Sequence, residues 1–307
     1  MKKCVIIYNP ASGKLKKSDL RQQFYDVLRK HGYDSEIIYT SSKKDATDIV
    51  YNLDYADLVI SAGGDGTLNE VVTGNLKRKK RLTLANLPMG TTNDVGNMYG
   101  YTRNFTKNLE LLLDGVEKKI DVCFINDEPF VYVACLGDYI DMAYNTPRKL
   151  KKKYGKLAYI MYGLKQLGNK INSYDIRYKI DGKVYEGHYS FFFITNASRV
   201  AGLNDVYYDI KLDDNKFEVA FCHVKNKAEM MKMFILLNNM DAKDVPGIVY
   251  HQTDNLEIEF LQKPKVSWCI DGEEYKSNNN KFVFRVDKHT KMMLPRENII
   301  KLFERKD

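Results

Sequence analysis

Three clusters of small and acidic residues in this chain have the types and spacing that phosphoryl chemistry needs. The densest is Gly63-Gly64-Asp65-Gly66-Thr67-Leu68-Asn69-Glu70, which follows the apolar run Leu58-Val59-Ile60-Ser61-Ala62. Three glycines in four positions permit positive φ and let a bulky anion approach the main chain. A helix beginning at Thr67 would turn its first N–H groups toward that anion. Asp65 has two readings: it holds a magnesium ion or orients a polyphosphate through one, or it caps a tight strand–helix turn. The second cluster is Asn9-Pro10-Ala11-Ser12-Gly13-Lys14, suited to a phosphate or nucleotide at the carboxyl end of a first strand, or to a plain loop. It is not a Walker A loop, because its first glycine and the residue after Gly13-Lys14 are wrong. The third is Pro88-Met89-Gly90-Thr91-Thr92-Asn93-Asp94.

The elements that must position these clusters alternate. Strands are predicted at 3–8, 35–40, 57–62 and 82–87. Helices are predicted at 17–31, 43–52, from Thr67 to about Gly74, and at 105–115. Such alternation implies a parallel sheet, whose strand C-termini share one edge, so the three clusters are expected to face one crevice. From Lys119 the pattern changes to consecutive strands: 119–125, 130–136, 173–180, 184–197, 216–223, 248–261 and 264–270. Asp181-Gly182 and Asp271-Gly272 are hairpin signals among them. One long helix interrupts, at 147–168, with an apolar stripe Leu150, Tyr154, Leu157, Met161 and Leu164. Arg148, Lys149, Lys151, Lys152, Lys153 and Lys156 crowd its start, either as a solvated face or as a contact for acidic lipid headgroups. The loop 209–217 carries Asp213 and Asp214, a hard-cation site with backbone carbonyls or simply solvated acids. A short helix is predicted at 298–303.

At 307 residues, two domains are the expectation. Hydrophobic residues make 44% and charged residues 29%, an ordinary globular composition. No apolar run approaches a membrane span, and the N-terminal apolar core is too short for a signal peptide. Five scattered cysteines without Cys-x-x-Cys spacing read as reduced buried thiols of a cytoplasmic protein. The net charge of +8 favours an anionic partner: a nucleotide, a nucleic acid or an acidic membrane surface. The 22 tyrosines among basic residues leave room for a non-catalytic nucleotide- or nucleic-acid-binding protein. Tyr132, Tyr159 and Tyr185, however, sit in apolar patterns that favour a core role.

Asn9 to Gly13, Gly63 to Glu70, Gly90 to Asp94 and Asp271-Gly272-Glu273 occur in the order and spacing of the bacterial diacylglycerol kinase-like lipid kinases. The chain resembles that family over nearly its whole length, including Arg148-Lys149-Leu150-Lys151, Tyr154 to Tyr159 and Asn196 to Gly202. The glycine–aspartate motif alone is shared with NAD kinases and sphingosine kinases. The resemblance implies an α/β, Rossmann-like nucleotide-binding domain over 1–125, to which segment 291–307 returns. It implies an antiparallel β-sandwich lipid-substrate domain over 126–290. It further implies Mg²⁺-dependent transfer of the γ-phosphate of ATP to diacylglycerol. The alternative is a kinase of the same fold with another acceptor: a sphingoid base, ceramide, phosphatidylglycerol or NAD.

By the same resemblance ATP meets Asn9, Pro10, Ala11, Ser12, Gly13, Thr40, Gly63, Gly64, Asp65, Gly66, Thr67, Leu68, Asn69 and Thr91. Glu273 corresponds to the catalytic base. Asp65, Asp94 and Asp121 correspond to an acidic network around the active-site Mg²⁺. Asp214 with the carbonyls of Lys211 and Lys216 corresponds to a structural Mg²⁺ site. The resemblance also implies a cytoplasmic homodimer that associates peripherally with the inner, anionic face of the membrane and takes no nucleic acid. Three residues depart from the family pattern: Asn215 stands where glycine is usual, Asp138 where small or apolar residues are, and Leu203 in a glycine-rich loop.

Overall fold

The structure, a computed structural model, describes residues 1–12, 17–138, 171–200, 203, 205–297 and 299–304. The expected helix at 147–168, together with Gly13, Lys14 and Tyr159, lies outside the described residues. The chain divides into two compact units, Met1–Ile120 with Lys288–Asp307, and Asp121–Asp287.

The first unit is built around apolar strands whose runs 4–8, 58–63 and 84–87 are buried, the mark of central strands in a parallel sheet. β1 (Lys2–Tyr8), β2 (Tyr33–Tyr39), β3 (Leu58–Gly63) and β4 (Thr83–Pro88) alternate with α1 (Lys17–Lys30), α2 (Asp45–Asn52), α3 (Asp65–Leu76), α4 (Asp94–Met98) and α5 (Phe105–Leu113). The order is β2-β1-β3-β4, all parallel, and the last residues of a late strand, β16 (Lys281–Leu294), add in parallel beside β4. β2 closes one edge, and its exposure follows from having one neighbour. The C-terminus of α2 is held by Arg78, whose guanidinium donates to the carbonyls of Val50, Tyr51 and Leu53. Carbonyls at a helix end lack the donors that the next turn would supply, and among the described residues Val50 O takes only the Leu53 N–H besides Arg78.

The second unit is a sandwich of two antiparallel sheets. One has the order β12 (Ile248–Thr253), β11 (Phe217–Cys222), β10 (Phe191–Thr195), β7 (Val133–Leu136), β14 (Trp268–Ile270), β15 (Glu273–Tyr275). The other pairs β16 with β13 (Asn255–Phe260), β8 (Tyr174–Ile180) and β9 (Lys183–Tyr189), while β5 (Val116–Ile125) forms a hairpin with β6 (Glu128–Phe130). Aromatic side chains from both sheets fill the space between: Tyr178, Phe192, Phe221, Phe260, Trp268, Phe282 and Phe284. Phe192 alone lies within 5.4 Å of Phe221 and 5.3 Å of Phe260, edge-on or tilted as aromatic quadrupoles prefer.

Two long expected strands are each split where the chain passes from one sheet to the other. The run 184–197 breaks at Ser190, whose hydroxyl donates to Val224 O at 2.6 Å. The run 248–261 breaks at Asp254, where Thr253 Oγ1 donates to Asn255 O and accepts from Asn255 N. A run of apolar residues does not reveal a corner, because both sides of the corner are core. α4, α6 (Lys227–Leu237), β15 and β16 are not anticipated by the sequence pattern, and the expected terminal helix is a 3-10 turn, Ile300–Leu302. Tyr132 is buried as expected, whereas Tyr185 is part-exposed and stacks on Tyr178. All five cysteines are buried free thiols.

Arg78→Lys should destabilise the fold about as much as Arg78→Ala, by roughly 1–2 kcal/mol in urea denaturation, because an ammonium on a shorter, flexible stem is not held where the planar guanidinium places its donors. Full rescue by lysine would show that charge alone matters there.

Candidate active site

The parallel sheet delivers its strand ends to one edge, and the loops there are tied to one another by hydrogen bonds. Asn9 N donates to Ala62 O at 3.1 Å, Thr40 N to Tyr8 O at 2.9 Å, and Met89 N to Gly63 O at 2.7 Å. Asn9 Nδ2 reaches Thr67 Oγ1 at 3.1 Å, joining the first cluster to the second. Pro10, Ala11 and Thr91 are exposed at this edge, Ser12, Gly64, Gly66 and Asn69 are part-buried, and Thr40, Thr67 and Leu68 are buried.

α3 starts at Asp65, two residues earlier than expected, and Gly64 caps it with extended backbone. The carbonyl of Gly64 accepts the first helical bonds, from Thr67 and Leu68. Among the described residues the glycines with positive φ do not include Gly63, Gly64, Gly66 or Gly90, so left-handed backbone is not why glycine stands there. Space is the reason at Gly63 and Gly90. A Cβ on Gly63 would lie 2.4 Å from Thr67 Oγ1. A Cβ on Gly90 would lie 2.7 Å from Gly64 Cα. The two loops therefore touch backbone to backbone.

Asp65 does the capping work, but for another helix. Its Oδ2 accepts from Asp94 N at 2.9 Å and its Oδ1 from Val95 N at 3.3 Å. These are the first donors of α4, whose own N-cap, Asn93, is turned away: its side chain closes the loop on Gly90 N and O, at 2.8 and 2.9 Å. Asn93 sits at φ 50, which asparagine tolerates. The expected cap of its own strand–helix turn is thus made by Gly64 instead, and Asp65, after accepting two N–H bonds, retains further lone pairs. Asp94 follows the loop and is buried.

In the second unit Asp271 and Gly272, at φ 48 and 88, form the two-residue turn between β14 and β15, pairing Ile270 with Glu273. The Asp271 carboxylate is buried and accepts from three main-chain donors, Val131 N at 2.6 Å, Tyr132 N at 3.0 Å and Val133 N at 3.1 Å. Those N–H groups belong to the break between β6 and β7. Sequence reading took Asp271 only as a turn residue; its second role had no signal, because backbone donors leave no mark in a sequence. Glu273, next along, is exposed.

Asp121 is buried, and its Oδ2 accepts from Asn215 N at 2.6 Å. Asn215 adopts φ 63, so the turn that glycine would make is kept. Asp214 accepts from Lys216 N through Oδ1 at 3.0 Å and from Gln252 Nε2 through Oδ2 at 3.4 Å. Gln252 Nε2 also reaches Glu218 Oε1 at 3.2 Å. Glu218 Oε2 is buried without a hydrogen-bond partner. No cluster of three or more His, Cys, Asp and Glu side chains placed to hold a metal exists among the described residues. Magnesium does not need one: it keeps several waters and takes one or two carboxylates with carbonyls. Asp214 with the carbonyls of Lys211 and Lys216 is an all-oxygen donor set, whose chemistry fits that ion. Of the departures, Asp138 accepts from Asn172 N at 2.7 Å, and Leu203 makes a two-way backbone bridge with Val200.

The model of the diacylglycerol kinase catalytic domain matches residues 3–125. A diacylglycerol kinase of Bacillus subtilis is 30% identical over 97% of this chain and 98% of its own length. This chain belongs to the bacterial diacylglycerol kinase family. A second member, from Staphylococcus aureus, is 32% identical over 89% of this chain and 86% of its own length. The family fold is matched in a crystal structure of a diacylglycerol kinase from Bacillus anthracis, with TM-score 0.76, 23% identity, and 95% and 97% of the two chains covered.

Burial pushes the Glu218 carboxyl up to about 8, opposed by the Gln252 amide and reinforced by Asp214 and Asp241. Glu218 is thus protonated in the fold, and ionised when unfolded, between the free-glutamate value of about 4.3 and 8. Stability is greatest below that window and falls as pH rises through it. In chelator, Glu218→Gln should leave stability near pH 4 unchanged and exceed wild type by a few kcal/mol at pH 8. Parallel pH profiles of the two proteins would contradict this. Asp65→Ala should cost about 1–3 kcal/mol through two lost bonds to α4, read in the same denaturation assay.

Proposed function

We propose that the chain transfers the γ-phosphoryl group of ATP to the hydroxyl of diacylglycerol, giving phosphatidic acid and ADP. The observation that carries this reading is the joining of Asn9, Asp65, Thr67 and the Gly90–Asp94 loop at one sheet edge. A phosphoryl-transfer site asks chiefly for positioning and charge neutralisation, and backbone loops in contact at an open strand edge supply positioning. Family membership supports the acceptor, since the relatives are named diacylglycerol kinases.

In this reading Asn9 to Gly13, Thr40, Gly63 to Asn69 and Thr91 surround the nucleotide. Asp65 fixes the Gly90–Asp94 loop against α3 and, with Asp94 and Asp121, would hold the active-site Mg²⁺ through its waters. Mg²⁺, when bound, neutralises charge on the β- and γ-phosphates. The acceptor oxygen forms the new bond to phosphorus as the bond to ADP breaks, and Glu273 takes the hydroxyl proton. The buried anchor at Asp271 keeps Glu273 at a fixed hairpin position. A glutamate is a weak base at neutral pH, so it accepts the proton late, once bond formation has acidified the hydroxyl. Asp214 with the carbonyls of Lys211 and Lys216 would hold a second, structural Mg²⁺. Among the described residues no helix is long and apolar enough to cross a membrane, which suits peripheral association with the cytoplasmic face of an anionic membrane. A homodimer completes the reading.

Phosphate transfer from γ-labelled ATP to diacylglycerol in mixed micelles tests it, with ceramide, sphingosine, phosphatidylglycerol and NAD as rival acceptors. Labelled phosphatidic acid is expected. Transfer to a rival alone would move the acceptor, and transfer to none would end the kinase reading. Glu273→Gln should lower kcat by about 100-fold or more while ATP binding stays unchanged. Asp65→Ala should lose turnover. Excess Mg²⁺ should raise the melting temperature of wild type over chelator, and Asp214→Ala should lack that rise. Equal rises in both proteins would remove Asp214 from the structural site.

A further inference from the structure

α6, Lys227-Ala228-Glu229-Met230-Met231-Lys232-Met233-Phe234-Ile235-Leu236-Leu237, has an unbroken apolar run from Met233 to Leu237, a pattern more usual in a buried helix. Yet Met230 is its one buried residue. Met231, Phe234 and Ile235 are 36%, 39% and 59% exposed. Their spacing of three and four puts them on one stripe with Ala228 and Asn238. The helix is well anchored, so this exposure is not fraying: Asn226 Oδ1 accepts from Glu229 N at 3.0 Å, and Glu229 Oε2 accepts from Lys225 N at 2.9 Å. That reciprocal cap also occupies the one acid of the helix, which lies roughly opposite the stripe, while Lys227 and Lys232 border it. Val249, on β12 at the edge of its sheet, is exposed as well.

We propose that the exposed stripe of α6 docks on an anionic lipid bilayer, with Met231, Phe234 and Ile235 entering the acyl boundary and Lys227 and Lys232 meeting headgroup phosphates. Charge complementarity selects this occupant. The two basic residues of the helix, Lys227 and Lys232, lie beside the stripe and its one acid lies away from it. An anionic bilayer offers the opposite sign, and the chain carries a net charge of +8. The docking deepens the lipid-kinase reading by naming the face that meets the membrane, but it does not depend on transfer chemistry.

Phe234→Ser and Ile235→Ser together remove the stripe at exposed positions. Sedimentation with vesicles of phosphatidylglycerol and phosphatidylcholine should recover wild type, and the double variant should partition about tenfold less. Melting temperature, oligomeric state by analytical ultracentrifugation, and transfer to a dispersed short-chain diacylglycerol should stay unchanged. Equal sedimentation of the two proteins overturns the proposal. A variant that melts well below wild type shows the stripe covered by this chain, and one of lower oligomeric state shows it covered by a second copy; either overturns it. Ile235→Trp gives a second readout, because Trp268 is the chain's one tryptophan and is buried. Its emission should shift to the blue with anionic vesicles, and no shift counts against docking. Loss of transfer by wild type to every acceptor would sink the kinase reading while leaving the vesicle result to stand or fall alone.

Discussion

The close approach of two loops, at Gly64 and Gly90, is the constraint on which the first unit depends. A side chain at Gly90 would meet the backbone of Gly64 at 2.7 Å, so neither loop can move aside without the other. The contact places Asp65 where its carboxylate can hold the start of α4, and it leaves Asn93 to close its own loop. Pre-set loops of this kind spend no ordering entropy when an anion arrives, which is the general advantage of a site formed from backbone. The glycines thus act by what they leave empty.

The second unit solves a different problem with the same chemistry. Where β6 gives way to β7 the chain leaves one sheet for another, and three N–H groups lose their ladder partners. A single buried carboxylate, Asp271, takes all three. The two oxygens of one carboxyl group have lone pairs enough for three donors, and buried polar groups are tolerated when they are paired in this way. Fold stability and the setting of Glu273 therefore rest on one residue.

Much of this was legible in the sequence, and the parts that were not share a cause. Strand runs such as Cys4–Tyr8 and Leu58–Ala62 declared themselves by unbroken apolarity, and the alternation with helices implied the parallel edge. The hairpin at Asp271-Gly272 and the left-handed tolerance of Asn215 were readable from residue type. The corners at Ser190 and Asp254 were not, since core residues flank them on both sides. α6 was hidden because its apolar residues show no preferred face, and α4 because a five-residue helix capped by a distant aspartate has no local signal. The positive φ expected at Gly63, Gly64 and Gly66 is not there, and the crowding at Gly63 and Gly90 was hidden because a sequence cannot show which atom stands opposite a missing Cβ.

β16 carries one more consequence. Its residues Lys291–Met293 complete the parallel sheet beside Thr83–Ala85, about two hundred residues earlier in the chain. During synthesis β4 emerges long before its late neighbour exists, so the first unit waits with an open, apolar strand edge until the whole sandwich has been made. Ordering of the first unit is thereby tied to the last stretch translated, and a chain cut short anywhere before Lys291 presents a sticky edge at β4 where a finished one has that edge paired.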